Sequence, residues 1–79
     1  MEIKIIGQES SNRMKLLKNV GKAMEKIKGK ISVSLLEEEE DAKRYNVSNV
    51  PALIINEKVI SQGKVLNERE IANFIRILA

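Results

Sequence analysis

The short polar segment Ser10-Ser11-Asn12-Arg13 holds the side chains best suited to chemistry in this 79-residue chain. A serine hydroxyl becomes a nucleophile only when a neighbouring base removes its proton. The chain has no histidine to act as that base and no cysteine as an alternative nucleophile. A helix start stabilises an anion by only about 1 kcal/mol, which is far too little to ionise a hydroxyl at neutral pH. We therefore predict no catalytic residue.

Two non-catalytic roles remain for this segment. Ser10 or Ser11 can act as the N-cap of the helix that follows, with the side-chain oxygen accepting a hydrogen bond from a free backbone N–H. Alternatively, the serines, Asn12, the free N–H groups and the Arg13 guanidinium could together bind a carboxylate or phosphate. Capping is the more common role of such residues, and we favour it.

A run of carboxylates, Glu37 to Asp41, invites a metal-site hypothesis. The chain has no histidine, and no distant carboxylate stands out as a further ligand. Acids at the start of a short helix usually serve its dipole, and we expect i,i+4 ion pairs Glu39–Lys43 and Glu40–Arg44. We predict no metal site and no cofactor.

A row of lysines lies on one side of the predicted first helix: Lys15, Lys18, Lys22 and Lys26. Such a row could meet nucleic acid or an acidic protein. The net charge is only +3, and no aromatic residues are interleaved with the lysines. We interpret the row as the solvated face of an amphipathic helix, and nucleic acid is not a favoured partner.

The elements that must position these residues follow from hydrophobic periodicity and turn residues. The predicted order is strand, helix, strand, short helix, strand, strand, helix. The corresponding segments are Glu2 to Ile6, a helix after Asn12 that ends at Gly29, Lys30 to Leu36, a helix from the acidic run to Asn46, Ala52 to Ile55, Lys58 to Ser61, and a helix after Asn67. The closing strands are expected to form a hairpin around Asn56-Glu57.

This order predicts one α/β domain over residues 1–79. A parallel strand–helix–strand unit followed by an antiparallel hairpin gives a mixed four-stranded sheet between helices. The second strand is expected to bury Ile31, Val33 and Leu35 on one face. No segment approaches the roughly 20 apolar residues of a membrane span, so we expect no membrane association and a soluble, cytoplasmic protein.

The segment from Tyr45 to Ile60, with its lone Pro51 before an apolar strand, carries a family resemblance. It continues through Gly63 into Asn67-Glu68-Arg69-Glu70-Ile71, where a last helix starts. The chain resembles the small glutaredoxin-like "redox-active disulfide" proteins of archaea and bacteria, over nearly its whole length. The resemblance implies a thioredoxin-like fold, β-α-β-α-β-β-α.

The family's C-x-x-C motif lies between its first strand and first helix. In this chain the two cysteine positions correspond to Ser10 and Arg13, with Ser11 and Asn12 between them. Both thiols are missing, so thiol–disulfide exchange is excluded while the fold expectation stands.

The resemblance also implies that Pro51 is a cis-proline beside the helix start. The dipeptide alone leaves open a trans proline that simply opens a strand. With a cis bond, the backbone at Val50 would face an extended peptide bound by strand addition.

We therefore predict a redox-inactive, non-enzymatic module that binds a protein or peptide through Val50, Pro51 and Arg13. One alternative is a small-anion site, or a non-redox enzyme, at Ser10–Arg13. Another is weak binding of nucleic acid or an acidic partner through the lysine row.

Overall fold

The computed structural model describes all residues from Met1 to Ala79. Its elements are β1 (Glu2–Ile6), α1 (Ser11–Glu25), β2 (Ser32–Leu36), α2 (Glu39–Arg44), β3 (Ala52–Ile55), β4 (Lys58–Gln62) and α3 (Glu68–Leu78). The order matches the sequence prediction. None of the helices is long and apolar enough to cross a lipid bilayer.

The four strands form one mixed sheet in the order β2-β1-β3-β4. The β1–β2 pair is parallel, whereas β1–β3 and β3–β4 are antiparallel. A parallel pair needs a crossover connection, and α1 supplies it. At one end of the β1–β3 pair Ile6 lies opposite Ala52, so the residues that follow β1 and precede β3 must leave the sheet side by side.

The core lies on both faces of the sheet, with the larger part under α1 and α3. There the buried strand residues Ile3, Ile5, Leu53 and Ile55 pack with apolar residues of both helices: Leu16, Val20, Ala23, Ile71, Ala72 and Ile75. On the opposite face Ile6, Ala52 and Ile54 form a smaller cluster, against which Ala42 of α2 and Tyr45 pack. All four residues of β3 are buried because helices cover both faces of the central strands.

Local signals in the sequence fix several element ends. Asn67 caps α3 in a capping box, accepting from the Glu70 N–H while the Glu70 carboxylate accepts from the Asn67 N–H. Asn46 follows the end of α2 and has a positive φ of 57°, a left-handed conformation that does not continue a helix. Asn56 and Glu57 both have positive φ, as the two central residues of a tight hairpin turn require.

Helix α1 is shorter than predicted, because it ends at Glu25 rather than at Gly29. The N–H groups of Lys26 and Ile27 donate to carbonyls three residues back, at Ala23 and Met24, so the last turn tightens and the helix stops. Strand β2 accordingly begins at Ser32 and not at Lys30.

Strand β2 also departs from its predicted burial. Val33 is only half-buried and Leu35 remains 41 % exposed, although both were expected to be buried. The reason is topological, because β2 is an edge strand with a neighbour on one side only. Periodicity identifies which face a side chain is on but not whether another element covers it.

The expected i,i+4 ion pairs within α2 do not form. Its one ion pair joins Arg44 to Asp41, at i,i+3 and a distance of 4.0 Å. The helix has only six residues and its side chains are largely exposed. Because exposed ion pairs contribute little free energy, no single pairing geometry is fixed.

An unpredicted polar cluster joins β1, the end of α2 and the β3–β4 turn. The Lys4 ammonium donates to the Tyr45 hydroxyl at 2.7 Å and to the Glu57 carboxylate at 3.0 Å, and the Tyr45 hydroxyl donates to Glu57. The Tyr45 hydrogen bond, followed by that of Lys4, lowers the pKa of Glu57 below its ordinary value. The same two partners, Tyr45 first, raise the pKa of Lys4.

This cluster predicts an acid-dependent loss of stability. The pKa of Glu57 is lowered in the folded state, so its contribution is present above its ordinary carboxyl pKa and is lost as the pH falls below that value. Denaturant unfolding between about pH 7 and about pH 3 should therefore show a smaller loss of unfolding free energy for Glu57→Gln than for the wild type.

Glu40→Gln is the matched control, since that exposed carboxylate has no ion-pair partner. Its pH dependence should follow the wild type. Equal acid sensitivity of Glu57→Gln and the wild type would show that the cluster contributes nothing.

Candidate functional site

Ser10 is the N-cap of α1. Its backbone is extended, and its side-chain oxygen accepts a hydrogen bond from the Arg13 N–H at 3.1 Å. The capping interpretation of Ser10 is therefore confirmed. Ser11 and Asn12 are the first two helical residues, and both are exposed.

The Arg13 side chain is turned inward and is held through one guanidinium nitrogen, Nη1. Its guanidinium donates to the Glu37 carboxylate at 2.7 Å and to the Gly7 carbonyl at 3.2 Å, with only 13 % of the side chain exposed. These contacts tie the start of α1 to the chain that follows β1 and to the chain that follows β2. Arg13 therefore acts as a structural clamp, and its charge is already matched by a carboxylate.

The loop before β3 carries Val50 and Pro51, and the peptide bond between them is cis. The end of β4 holds this loop in place. The Gly63 N–H donates to the Pro51 carbonyl at 2.9 Å, and the Gln62 side-chain oxygen accepts from the Ser48 N–H at 2.9 Å.

Gly7 allows this loop to approach the end of β1. Its φ is +142°, and a Cβ built there would lie 3.2 Å from the Val50 Cβ and 3.5 Å from the Pro51 Cα. Glycine is required here chiefly by this backbone conformation, and a Cβ would in addition crowd Val50. The requirement follows from the register that places Ile6 opposite Ala52.

The helix start and the Val50–Pro51 loop line one pocket of about 540 Å³, the largest on the molecule. The structure therefore brings together Ser10, Asn12, Val50 and Pro51, which the sequence analysis singled out separately. Arg13 does not line the pocket but lies behind it. The remaining lining residues are Ile6, Gly7, Gln8, Glu9, Glu37, Glu38, Glu39 and Ala42.

The pocket is acidic. Glu9 and the run Glu37 to Glu39 contribute four carboxylates, and none of the twelve lining residues is a lysine or arginine. Only Glu37 is neutralised by an ion pair, the one with Arg13. No group of three or more acidic side chains has a metal-binding arrangement. The potential of this pocket favours cationic ligands over anionic ones.

Val50 presents an unsatisfied backbone at the rim of the pocket. Its side chain is 55 % exposed, and neither its N–H nor its C=O takes part in a hydrogen bond within the chain. A backbone with a free donor and a free acceptor can form hydrogen bonds with an extended segment of another chain.

The lysine row lies apart from this pocket. Lys15, Lys18 and Lys22 are exposed on α1, Lys26 is exposed directly after its end, and none of the four lines the pocket. Lys26 forms an ion pair with Glu68 of α3 at 2.9 Å, and this contact lowers the pKa of Glu68. The row is thus a solvated helix face that also fastens α1 to α3.

Sequence reasoning missed the partners that position the site. Glu37 appeared only as part of an acidic run, and nothing in the sequence pairs it with Arg13, 24 residues away. Gln62 and Gly7 were not singled out at all, and Gly63 appeared only within the segment that carries the family resemblance. The one available signal was that both glycines directly follow strands.

The chain was compared with known protein families, curated proteins and solved structures. Neither the curated proteins nor the solved structures gave a match. The sequence model of one protein family, described as a thioredoxin domain, matches residues 1–76. The mixed four-stranded sheet with three helices agrees with that fold, and the chain therefore belongs to the thioredoxin domain family, of which it is a member without cysteine.

Proposed function

We propose that this chain is a redox-inactive binding module that holds an extended, basic peptide segment against the Val50–Pro51 loop. The observation that carries the proposal is the free N–H and C=O of Val50 at the rim of the acidic pocket. A peptide that pairs with Val50 gains backbone hydrogen bonds, and its side chains then reach into the pocket.

The charge of the pocket supports a basic peptide. Glu9, Glu38 and Glu39 have no ion-pair partner in the chain, so they are available to lysine or arginine side chains. The exposed Val50 side chain adds apolar contact at the same place.

The anion-binding alternative loses its main support in this geometry. Arg13, the only cation of the Ser10–Arg13 segment, is paired with Glu37, and the Ser10 oxygen is used by the helix cap. A carboxylate or phosphate would also have to approach a rim of carboxylates. The only hydrogen bond of the Ser10 hydroxyl is the one that it accepts from the Arg13 N–H. None of the pocket carboxylates is hydrogen-bonded to it as a base, which supports the proposal that the chain is not an enzyme.

Peptide binding can be tested by fluorescence anisotropy with two labelled decapeptides, one of alternating lysine and threonine and one of alternating glutamate and threonine. The lysine peptide should bind more tightly, and added salt should weaken its binding. Glu9→Gln combined with Glu39→Gln should weaken it by about three- to tenfold, because each exposed charge contributes a fraction of a kcal/mol.

Glu25→Gln combined with Glu40→Gln is the matched control, since it removes two carboxylates that do not line the pocket. It should bind the lysine peptide like the wild type. Equal affinity for both peptides would contradict the proposal, and tighter binding of the glutamate peptide would favour the anion site instead.

The loss of redox function can be tested by restoring the thiols. The wild type should show no reduction of insulin by dithiothreitol above a buffer blank, because it has no cysteine. Ser10→Cys combined with Arg13→Cys should form an intramolecular disulfide, measured as loss of free thiol under mild oxidation. If the two thiols stayed reduced, the correspondence with the family's C-x-x-C positions would be wrong.

A further inference from the structure

The outer edge of β2 is open. Strand β2 pairs only with β1, and the bonds from the Ser32 N–H to the Met1 carbonyl and from the Gly7 N–H to the Leu36 carbonyl lie on that inner side. Because successive residues of a strand direct their backbone groups to opposite sides, Val33 and Leu35 direct theirs outward. The outer edge therefore offers two donors and two acceptors.

The two edges of the sheet differ in their protection against further pairing. On β4, a register shift opposite Leu53 and Ile54 marks an irregularity, and the strand begins with the charged Lys58. Such features prevent edge-to-edge pairing. In contrast, β2 has the sequence SVSLL, with no charge and no proline, and its five residues pair with β1 in unbroken register.

The side chains of β2 also lack a cover. Leu35 is 41 % exposed, although it lies on the same face as the half-buried Val33. A further strand beside β2 would continue that face and shield Leu35 from water.

We infer that β2 pairs with β2 of a second copy of this chain, antiparallel about a two-fold axis at Ser34, to form a continuous eight-stranded sheet. In this register Val33 lies opposite Leu35 of the second copy. Both residues direct their backbone groups outward, so they exchange hydrogen bonds in two equivalent pairs. Their side chains meet on the same face and cover the exposed Leu35.

The charges that flank β2 favour this register, and they favour a second copy of the chain as the partner of β2. Lys30 and Glu38 each lie four residues from Ser34, so each faces its opposite charge on the second copy, at both ends of the interface. Both are free to do so, because neither forms an ion pair within the chain. Glu38 is extended, with φ −85° and ψ 146°, and its side chain makes no capping bond. A register centred on Val33 would instead put Lys30 opposite Leu36.

Glu38 also lines the pocket of the proposed peptide site, so the inference is tested without peptide, by sedimentation equilibrium of the full chain from about 1 µM to about 1 mM. The wild type should associate reversibly to a dimer. Lys30→Glu alone and Glu38→Lys alone should each weaken the dimer by about tenfold, because each creates two like-charge pairs across the interface. The double variant should restore wild-type association.

Lys64→Glu is the matched control for Lys30→Glu, because it makes the same change in net charge at an exposed residue remote in sequence from β2. It should dimerise like the wild type. Amide hydrogen exchange adds a second measurement, since the Val33 and Leu35 amides should be slower to exchange at the dimer concentration than when dilute.

A chain that stays monomeric over the whole range would overturn the inference. So would a double variant that dimerises no better than the single ones. If the chain dimerised while the Val33 and Leu35 amides exchanged as fast as in the dilute protein, the dimer would form through a surface other than β2, and the inference would be wrong.

Discussion

The antiparallel pairing of β1 with β3 is the constraint on which the rest of this structure depends. The chain has no cysteine to form a disulfide, and these two central strands supply core residues on both faces of the sheet. Their register sets Ile6 opposite Ala52, and the next residues along, Gly7 and Pro51, are therefore forced together. The candidate site lies where it does because the most buried pair of strands ends there.

The close approach of Gly7 to the Val50–Pro51 loop determines which side chains surround the site. Gly7 has a positive φ and lies close to Val50, and its carbonyl accepts a hydrogen bond from Arg13. Arg13 in turn holds Glu37, so three chain segments meet at one side chain. In the thioredoxin domain family this helix start is where we expect paired cysteines, but here it carries a capping serine and an ion-paired arginine. What remains accessible is a backbone without partners and a rim of carboxylates, and the proposed peptide binding rests on these two features.

The sequence predicted those features that depend on neighbouring residues. The bounds of β3, the Asn67–Glu70 capping box and the turn at Asn56-Glu57 all follow from local backbone preferences and were confirmed. Features that depend on tertiary contact were missed or misjudged. Helix α1 stops before its predicted glycine, Leu35 is exposed because β2 lies at an edge, and the Lys4–Tyr45–Glu57 cluster joins residues up to 53 positions apart. Four of the pocket residues, Ser10, Asn12, Val50 and Pro51, were named from sequence, but the acidic character of the pocket was not, because it depends on the tertiary positions of Arg13 and the glutamates.

The most direct test of the central claim is a nitrogen-15 NMR titration of the protein with the alternating lysine–threonine peptide. If the peptide pairs with the open backbone beside the pocket, the Val50 amide should show one of the largest shifts and should exchange with solvent more slowly in the complex. Shifts confined to other surfaces, with the Val50 amide unmoved and still exchanging freely, would contradict this account.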